Sequence, residues 1–358
     1  MATDSGDYSE WADILIKHDF NLVAYSKDIN FPPLTPYIYL GFVSCVALAK
    51  VTAGLFWPQL IVLMNTIMGA LVGVMIADLI YAFTKSKISV WAVLILYVFN
   101  PEIFPWTRYI LGDTSFMFVN FLAFYFICKM FLKNSAHRIR YWIFVLLIFF
   151  CNCIWRPVGF VMTPVVLFTF YLSRRKKEIS WKAVFVCFTI LMSLSILIYI
   201  VAIRNILPVL PGKSVWRDFM VNTYHEGIII DGRPHTYHYA PSTLVDYVFV
   251  TVDRFVHFFY FSDPQFSFRH TLLNTLIFVP MYSLFFLVII GIIKERDSSI
   301  KRLIIALCII VVLLYSLFYS IVQIDSDWRY RLLIYPYLLV VSGAGMKFLL
   351  QKIRIKGV

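Results

Sequence analysis

Apolar residues gather along this chain into long runs, at about 37–57, 59–83, 88–106, 114–133, 141–155, 158–173, 181–203, 271–293, 301–322 and 331–351. A helix rises about 1.5 Å per residue, so about 20 apolar residues cross a hydrocarbon core of about 30 Å. Charged residues fall between the runs, and alternation with a period of two, which would suit a transmembrane barrel, is weak. The pattern predicts an all-α fold, a polytopic transmembrane helical bundle. Composition agrees, with 61% hydrophobic residues, 18% aromatics and a mean hydropathy of +0.79. These values exclude an ordinary soluble domain.

The first 36 residues differ from the rest. Apolar positions Trp11, Ile14, Leu15 and Phe20 alternate there with charges, and the segment ends in Phe31-Pro32-Pro33-Leu34-Thr35-Pro36. Such a segment lies on a membrane but does not cross it. The run at 37–57 follows three prolines, holds Lys50 in its middle and is separated from the next run only by Trp57-Pro58. It therefore predicts a helix in the interface, leaving nine true spans.

Basic residues set the orientation. The segments 84–88, 129–140, 174–182, 294–302 and 347–356 hold 19 of the 32 Lys and Arg and only three acidic residues, which places them in the cytoplasm. Residues 1–36 and the remaining loops face outward. The resulting division is an outer acidic loop with amphipathic helices at 1–36, a juxtamembrane helix at 37–57, a first transmembrane bundle at 59–203, an outer loop or cap at 204–270, and C-terminal transmembrane helices at 271–358. The net charge of +12 does not indicate nucleic acid, because the cations follow membrane sidedness and form no basic face with interleaved aromatics. Six cysteines all lie in apolar runs without ligand or pairing partners, which suits packing. His235 and His238 form an H-x-x-H pair lacking a third convergent ligand, and no metal or cofactor is expected.

Four constellations at outward ends carry candidate chemistry. They are Asp4-Ser5-Gly6-Asp7-Tyr8; Pro101 to Tyr109 with Glu102 and Arg108, continuing to Asp113; Trp155-Arg156-Pro157-Val158-Gly159; and Asp325 to Arg331, leading to Tyr335-Pro336. Carboxylates and arginines gathered on one side of a membrane bundle suit chemistry on a phosphate-bearing lipid. Arginine grips phosphate with a planar fork and stays charged, so Arg156, Arg329 and Arg331 form a candidate donor-phosphate clamp. A nearby aspartate serves as base toward an attacking hydroxyl, and a phosphate leaves as a stable anion without a general acid. Each residue also has a plainer role. Arg329 and Arg331 suit snorkelling at helix ends, Asp113 suits a helix start, Glu102 and Arg108 suit pairing with each other, and Asp78 suits helix packing.

In this order the motifs resemble the polyprenyl-phosphate-dependent glycosyltransferases of the C superfamily, the group of protein O-mannosyltransferases and lipid A aminoarabinose transferases. The matching residues are Asp4, Tyr8 and Ala12; Pro32-Pro33-Leu34; Pro105, Arg108 and Asp113; Arg156-Pro157-Val158-Gly159; and Arg329-Tyr330-Arg331-Leu332 with Pro336. The resemblance implies a catalytic base at Asp4, with Asp7 the alternative and Asp113 a further site carboxylate. It also implies substrate contacts at Tyr8, Arg108 and Tyr330. The family's Asp-Glu pair reads Asp4-Ser5 here, and the first membrane span that the resemblance implies ahead of the acidic loop is lacking. The implied partners are a polyprenyl-phosphate sugar donor, a glycan, lipid or protein acceptor, and the lipid bilayer. Lysine and aromatic richness without a eukaryotic sorting signal points to a bacterial inner membrane, with the active face outward by the cation count, and the rival functions are a transporter or flippase for lipid-linked sugars and a non-catalytic scaffold.

Overall fold

A computed structural model describes residues 3–29, 37, 39–133, 139–174, 244–262, 266–294, 299–322 and 328–356. The run at 181–203, the loop up to residue 243, Pro32-Pro33-Leu34, His235, His238, Asp325 and Asp327 lie outside them. Among the described residues the chain is helical throughout and contains no strand. The helices are α1 (Thr3–Lys17), α2 (Leu22–Asp28), α3 (Leu40–Ala53), α4 (Trp57–Thr84), α5 (Lys87–Val98), α6 (Asp113–Leu132), α7 (Ile139–Trp155), α8 (Thr163–Arg174), α9 (Leu244–Phe258), α10 (Phe268–Lys294), α11 (Ser299–Val322) and α12 (Tyr335–Lys356). Tight 3₁₀ turns at Gly54–Phe56, Pro105–Arg108, Pro157–Met162 and Trp328–Leu333 join them.

Four helical stretches are long and apolar enough to cross a membrane: Leu40–Thr84, Asp113–Leu132, Phe268–Ile289 and Ile300–Ser320. Among the described residues the chain is thus all-helical, and four of its stretches have the length and composition of membrane spans. Several other expected spans are shorter than the apolar runs suggested. The run at 88–106 yields only α5, 12 residues long, because Pro101 and Pro105 turn the following chain into a loop. The run at 158–173 opens with a 3₁₀ turn on Pro157 and leaves the 12-residue α8. The 14-residue α3 spans about 21 Å, short of a hydrocarbon core of about 30 Å. Gly54, at φ +52, breaks it from α4. Phe42 of α3 meets Gly112, while Asn65 of α4 donates to the Leu111 carbonyl at 3.1 Å, so α3 folds back along the start of α4.

The core is built around α12, whose residues 335 to 343 are all buried. Small residues let its neighbours approach. A Cβ on Gly343 would stand 2.6 Å from Ile80 of α4, and one on Gly345 would collide with the Leu284 carbonyl of α10. Between them Ser342 donates to the Met281 carbonyl at 2.8 Å. Close approach through small residues compensates for the weak hydrophobic drive between helices in lipid. Gly345→Val is therefore expected to cost roughly 1–3 kcal/mol or more through overpacking, read as a fall in Tm of the protein in detergent.

A second cluster docks the N-terminal helix. Tyr8, Ala12 and Leu15 form the buried stripe of α1 against Phe42, Val43, Val46 and Ala47 of α3. Phe20, one of the apolar positions of this segment, is exposed, in a turn where it and Asp19 have positive φ. Lys50, conspicuous in an apolar helix, reaches α1, donating to the Ser9 carbonyl at 2.9 Å and Ser9 Oγ at 2.8 Å and pairing with Asp13 at 2.7 Å. Across the following turn, Asp28 accepts from His18 at 2.7 Å and from Lys17 at 3.4 Å. The His18 hydrogen bond, then that of Lys17, holds the Asp28 carboxyl below its usual value. A depressed carboxyl stabilises the fold above the ordinary value near 3.9, and that contribution is lost as pH falls through the lowered value. Acid titration followed by Trp11 fluorescence is expected to show this loosening, with Asp28→Asn removing the step.

Charges sort between the two ends of the bundle. Asp113 opens α6 and Tyr335 opens α12 at one end, the site end. Lys129 and Lys352 lie about 25 Å further along those helices, toward the other end. There Asp78 of α4 pairs with Lys129 of α6 at 2.7 Å and accepts from Tyr125 at 2.7 Å, a bridge between helices as its packing role required.

Candidate functional site

The site end brings the four sequence constellations together, although they are far apart in the chain. Its centre is a buried ion pair between α6 and the turn after α7. Pro157 ends α7 and leaves Arg156 extended, at φ −154 and ψ 146, which sends its side chain across to α6. Asp113, the first residue of α6, meets it bidentately, with Nη1 to Oδ1 and Nη2 to Oδ2 both 2.9 Å. The side chains are 11% and 4% exposed. Two parallel bonds of this kind fix orientation as well as charge. The carboxylate also stands where the N-terminal dipole of α6 favours negative charge, as its expected role at a helix start requires. Arg156 still carries an Nε–H without an acceptor.

Tyrosines surround this pair. Tyr8, Tyr39 and Tyr319 lie within electrostatic range of the Arg156 guanidinium. Tyr8 is held in place by edge contacts to Trp11 and Phe42, at ring separations of 5.8 and 5.0 Å. The N-terminal helix thus brings a phenol near the ion pair. On the other side Tyr319 stacks on Tyr330 at 4.7 Å and on Phe258 at 5.9 Å. Neighbouring Arg329 lies over Trp106 at 5.8 Å. Trp155 braces the floor by donating to Ser115 Oγ at 3.0 Å, while Gly41 lets α3 press against the Trp155 ring.

A second buried pair lies next to the first. Arg331 donates to Glu102, to the Tyr260 carbonyl and, at 3.3 Å, to the Phe258 carbonyl, while Tyr335 donates to the second Glu102 oxygen. Arg331 and Glu102 are 1% and 4% exposed. The arrangement ties the loop after α5, the end of α9 and the start of α12 into one unit. The expected pairing of Glu102 with Arg108 does not form. Asn100 Oδ1 accepts from the Glu102 amide at 2.9 Å and begins a turn that buries Glu102. The 3₁₀ turn leaves Arg108 exposed over the Phe104 ring at 4.5 Å.

The sequence-predicted residues therefore divide. Asp113, Arg156 and Tyr8 converge, Tyr330 and Arg329 adjoin them through Tyr319 and Trp106, and Arg331 is engaged by Glu102. Asp7 lies on the exposed face of α1, whereas position 4 is one helical turn before Tyr8. Sequence reasoning missed Tyr39 and Tyr319, which lie inside or beside apolar runs where tyrosines read as interface belt.

Deeper in the bundle a third polar group is fully paired. Tyr337 donates to Asn120 Oδ1 at 2.6 Å, Asn120 donates to Tyr315 and to Asn152, and Asn152 donates to the Gly159 carbonyl at 3.2 Å. A Cβ on Gly159 would collide with the Asn152 carbonyl, so the small residue of the Arg-Pro-x-Gly element serves to seat the turn that carries Arg156. No group of three metal-ligating side chains occurs among the described residues. No protein family, curated protein or solved structure matches this chain, so the geometry and the sequence motifs carry the functional argument.

Proposed function

We propose that the protein is a membrane glycosyltransferase that moves a sugar from a polyprenyl-phosphate carrier to an acceptor hydroxyl at the outer face of the membrane. The observation that supports this most is the convergence of a carboxylate, a buried arginine with an unused N–H and a ring of phenols at one end of an apolar bundle. Charged chemistry at the rim of a bilayer suits a substrate whose reactive phosphate stays at the surface while its isoprenoid tail stays in lipid.

In the proposed reaction the acceptor oxygen attacks the anomeric carbon as the carbon–oxygen bond to phosphate breaks, with inversion. The hydroxyl proton passes to Asp4, and the bond's electron pair leaves with the phosphate. Asp4 is preferred to Asp7 because its helical register follows Tyr8. Arg156 and Arg329 stabilise the leaving phosphate, and Asp113 fixes the Arg156 fork. Arg331 acts as a positioning residue, since Glu102 and two carbonyls take up its donors and it sets the turn bearing Arg329 and Tyr330. The expected nine spans belong to the same proposal, in which the 12-residue α5 and α8 cross only together with the chain and 3₁₀ turns that flank them.

Protein reconstituted in vesicles with a lipid extract containing polyprenyl-phosphate sugars tests the reaction. Release of free polyprenyl phosphate on adding envelope acceptor supports it, and an unchanged lipid pool contradicts it. In the same assay Lys50→Met is expected to lower turnover about 10²-fold, because undocking α1 displaces the base. Its Tm should fall much less than that of the Gly345 variant.

A further inference from the structure

The helix α9 carries an apolar stripe that no described part of the protein covers. Val245, Val248, Phe249, Val252 and Val256 follow one another at helical spacing and are each 46% to 64% exposed. The opposite face is docked. Arg254 is buried and donates to the Ser320 carbonyl at 3.5 Å, and Phe258 stacks on Tyr319. At 15 residues α9 measures about 22 Å, too short to cross about 30 Å of hydrocarbon. Its C-terminal end is fixed at the site end by the Phe258 and Tyr260 carbonyls that accept from Arg331.

We propose that α9 is inserted in the leaflet next to the site, with this stripe against the lipid acyl chains. Continuity with α10 selects lipid as the occupant. The membrane-crossing α10 follows α9 directly and exposes Phe268, Leu272, Leu273, Leu276 and Val279 from its site end. The polar residues flank the stripe, with Asp253 exposed on one side and paired to His257 at 3.3 Å. Amphipathic helices with this division embed their apolar face at the boundary between headgroups and acyl chains. The stripe then faces lipid on the side of α9 away from Tyr319 and Arg331. The proposal rests on the membrane character of the chain and not on glycosyl transfer, so either can fail alone.

The test is photocrosslinking of the full chain in phosphatidylcholine/phosphatidylglycerol vesicles. Benzoylphenylalanine replaces Phe249 in one sample and Asp253 in another, and adducts are identified by mass spectrometry. Phospholipid adducts several-fold more abundant from position 249 than from 253 are expected. Equal lipid labelling at both positions, no lipid adduct, or adducts from position 249 to residues 175–243 or to a second copy would overturn the proposal. The same label at Val256, two turns along the stripe, repeats the test if the variant at Phe249 does not fold.

Discussion

Asp113→Ala is expected to lower stability by about 3–5 kcal/mol, because it leaves the Arg156 guanidinium buried and unpaired. In detergent this should appear as a large fall in Tm, and in cells as low abundance. The companion variant separates structure from chemistry. Replacing both partners with apolar residues of similar volume, Asp113→Leu with Arg156→Met, removes the uncompensated charge. Such replacements are often neutral or stabilising by about 1–4 kcal/mol. The double variant should therefore recover much of the Tm and yet lose most of its turnover, since only Arg329 remains to stabilise a leaving phosphate. Full activity in that stable double variant would remove Arg156 and Asp113 from the site. Low stability alone, without recovery in the pair, would mean that the turn at Pro157 needs the ion pair to form.

Asp4→Asn is expected to behave in the opposite way. General-base catalysis contributes about 10²–10⁴-fold, so turnover should fall by that factor. Stability should not change, because Asp4 is in the first turn of α1, ahead of the buried stripe that docks it. Asp7→Asn should retain near-normal turnover, since Asp7 occupies the exposed face of the same helix. Loss of turnover with Asp7→Asn and normal turnover with Asp4→Asn would exchange the two assignments. Steady-state rates of polyprenyl phosphate release at matched protein levels decide between them.

Much of the architecture was legible because membrane helices write themselves as apolar runs. The cations between those runs also showed which ends belong together. Span lengths were less legible, since a proline or a 3₁₀ turn inside an apolar run does not change its hydropathy. Hence 88–106 appeared as a span although only Lys87–Val98 is α-helical. Ion-pair partners were the least legible feature. Glu102 and Arg108 are close in sequence and were natural partners, but the Asn100 turn points Glu102 inward to Arg331, 229 positions away. No local pattern encodes such a pairing. Lys50 gave half of its meaning: it marked 37–57 as unlike a span, but its partners Ser9 and Asp13 appear only once α1 docks.

Convergence at the site end follows the same division. Helix order and the spread of cations predict Asp113, Arg156 and Arg329 at one end of the bundle. Only packing shows that Asp113 grips Arg156 while Arg331 is held by Glu102. Tyr39 and Tyr319 gave no sequence signal beyond being aromatic near a helix end, and they matter here because they lie near the Arg156 charge.

Mass spectrometry of envelope glycans and lipids tests the central claim most directly, in cells lacking the gene and in cells complemented with wild-type, Asp4→Asn or Asp7→Asn protein. The account predicts loss of one sugar substituent and accumulation of a polyprenyl-phosphate-linked sugar in the deletion and in Asp4→Asn, with both reversed by wild type and by Asp7→Asn. Identical profiles in the deletion and the wild type would contradict it.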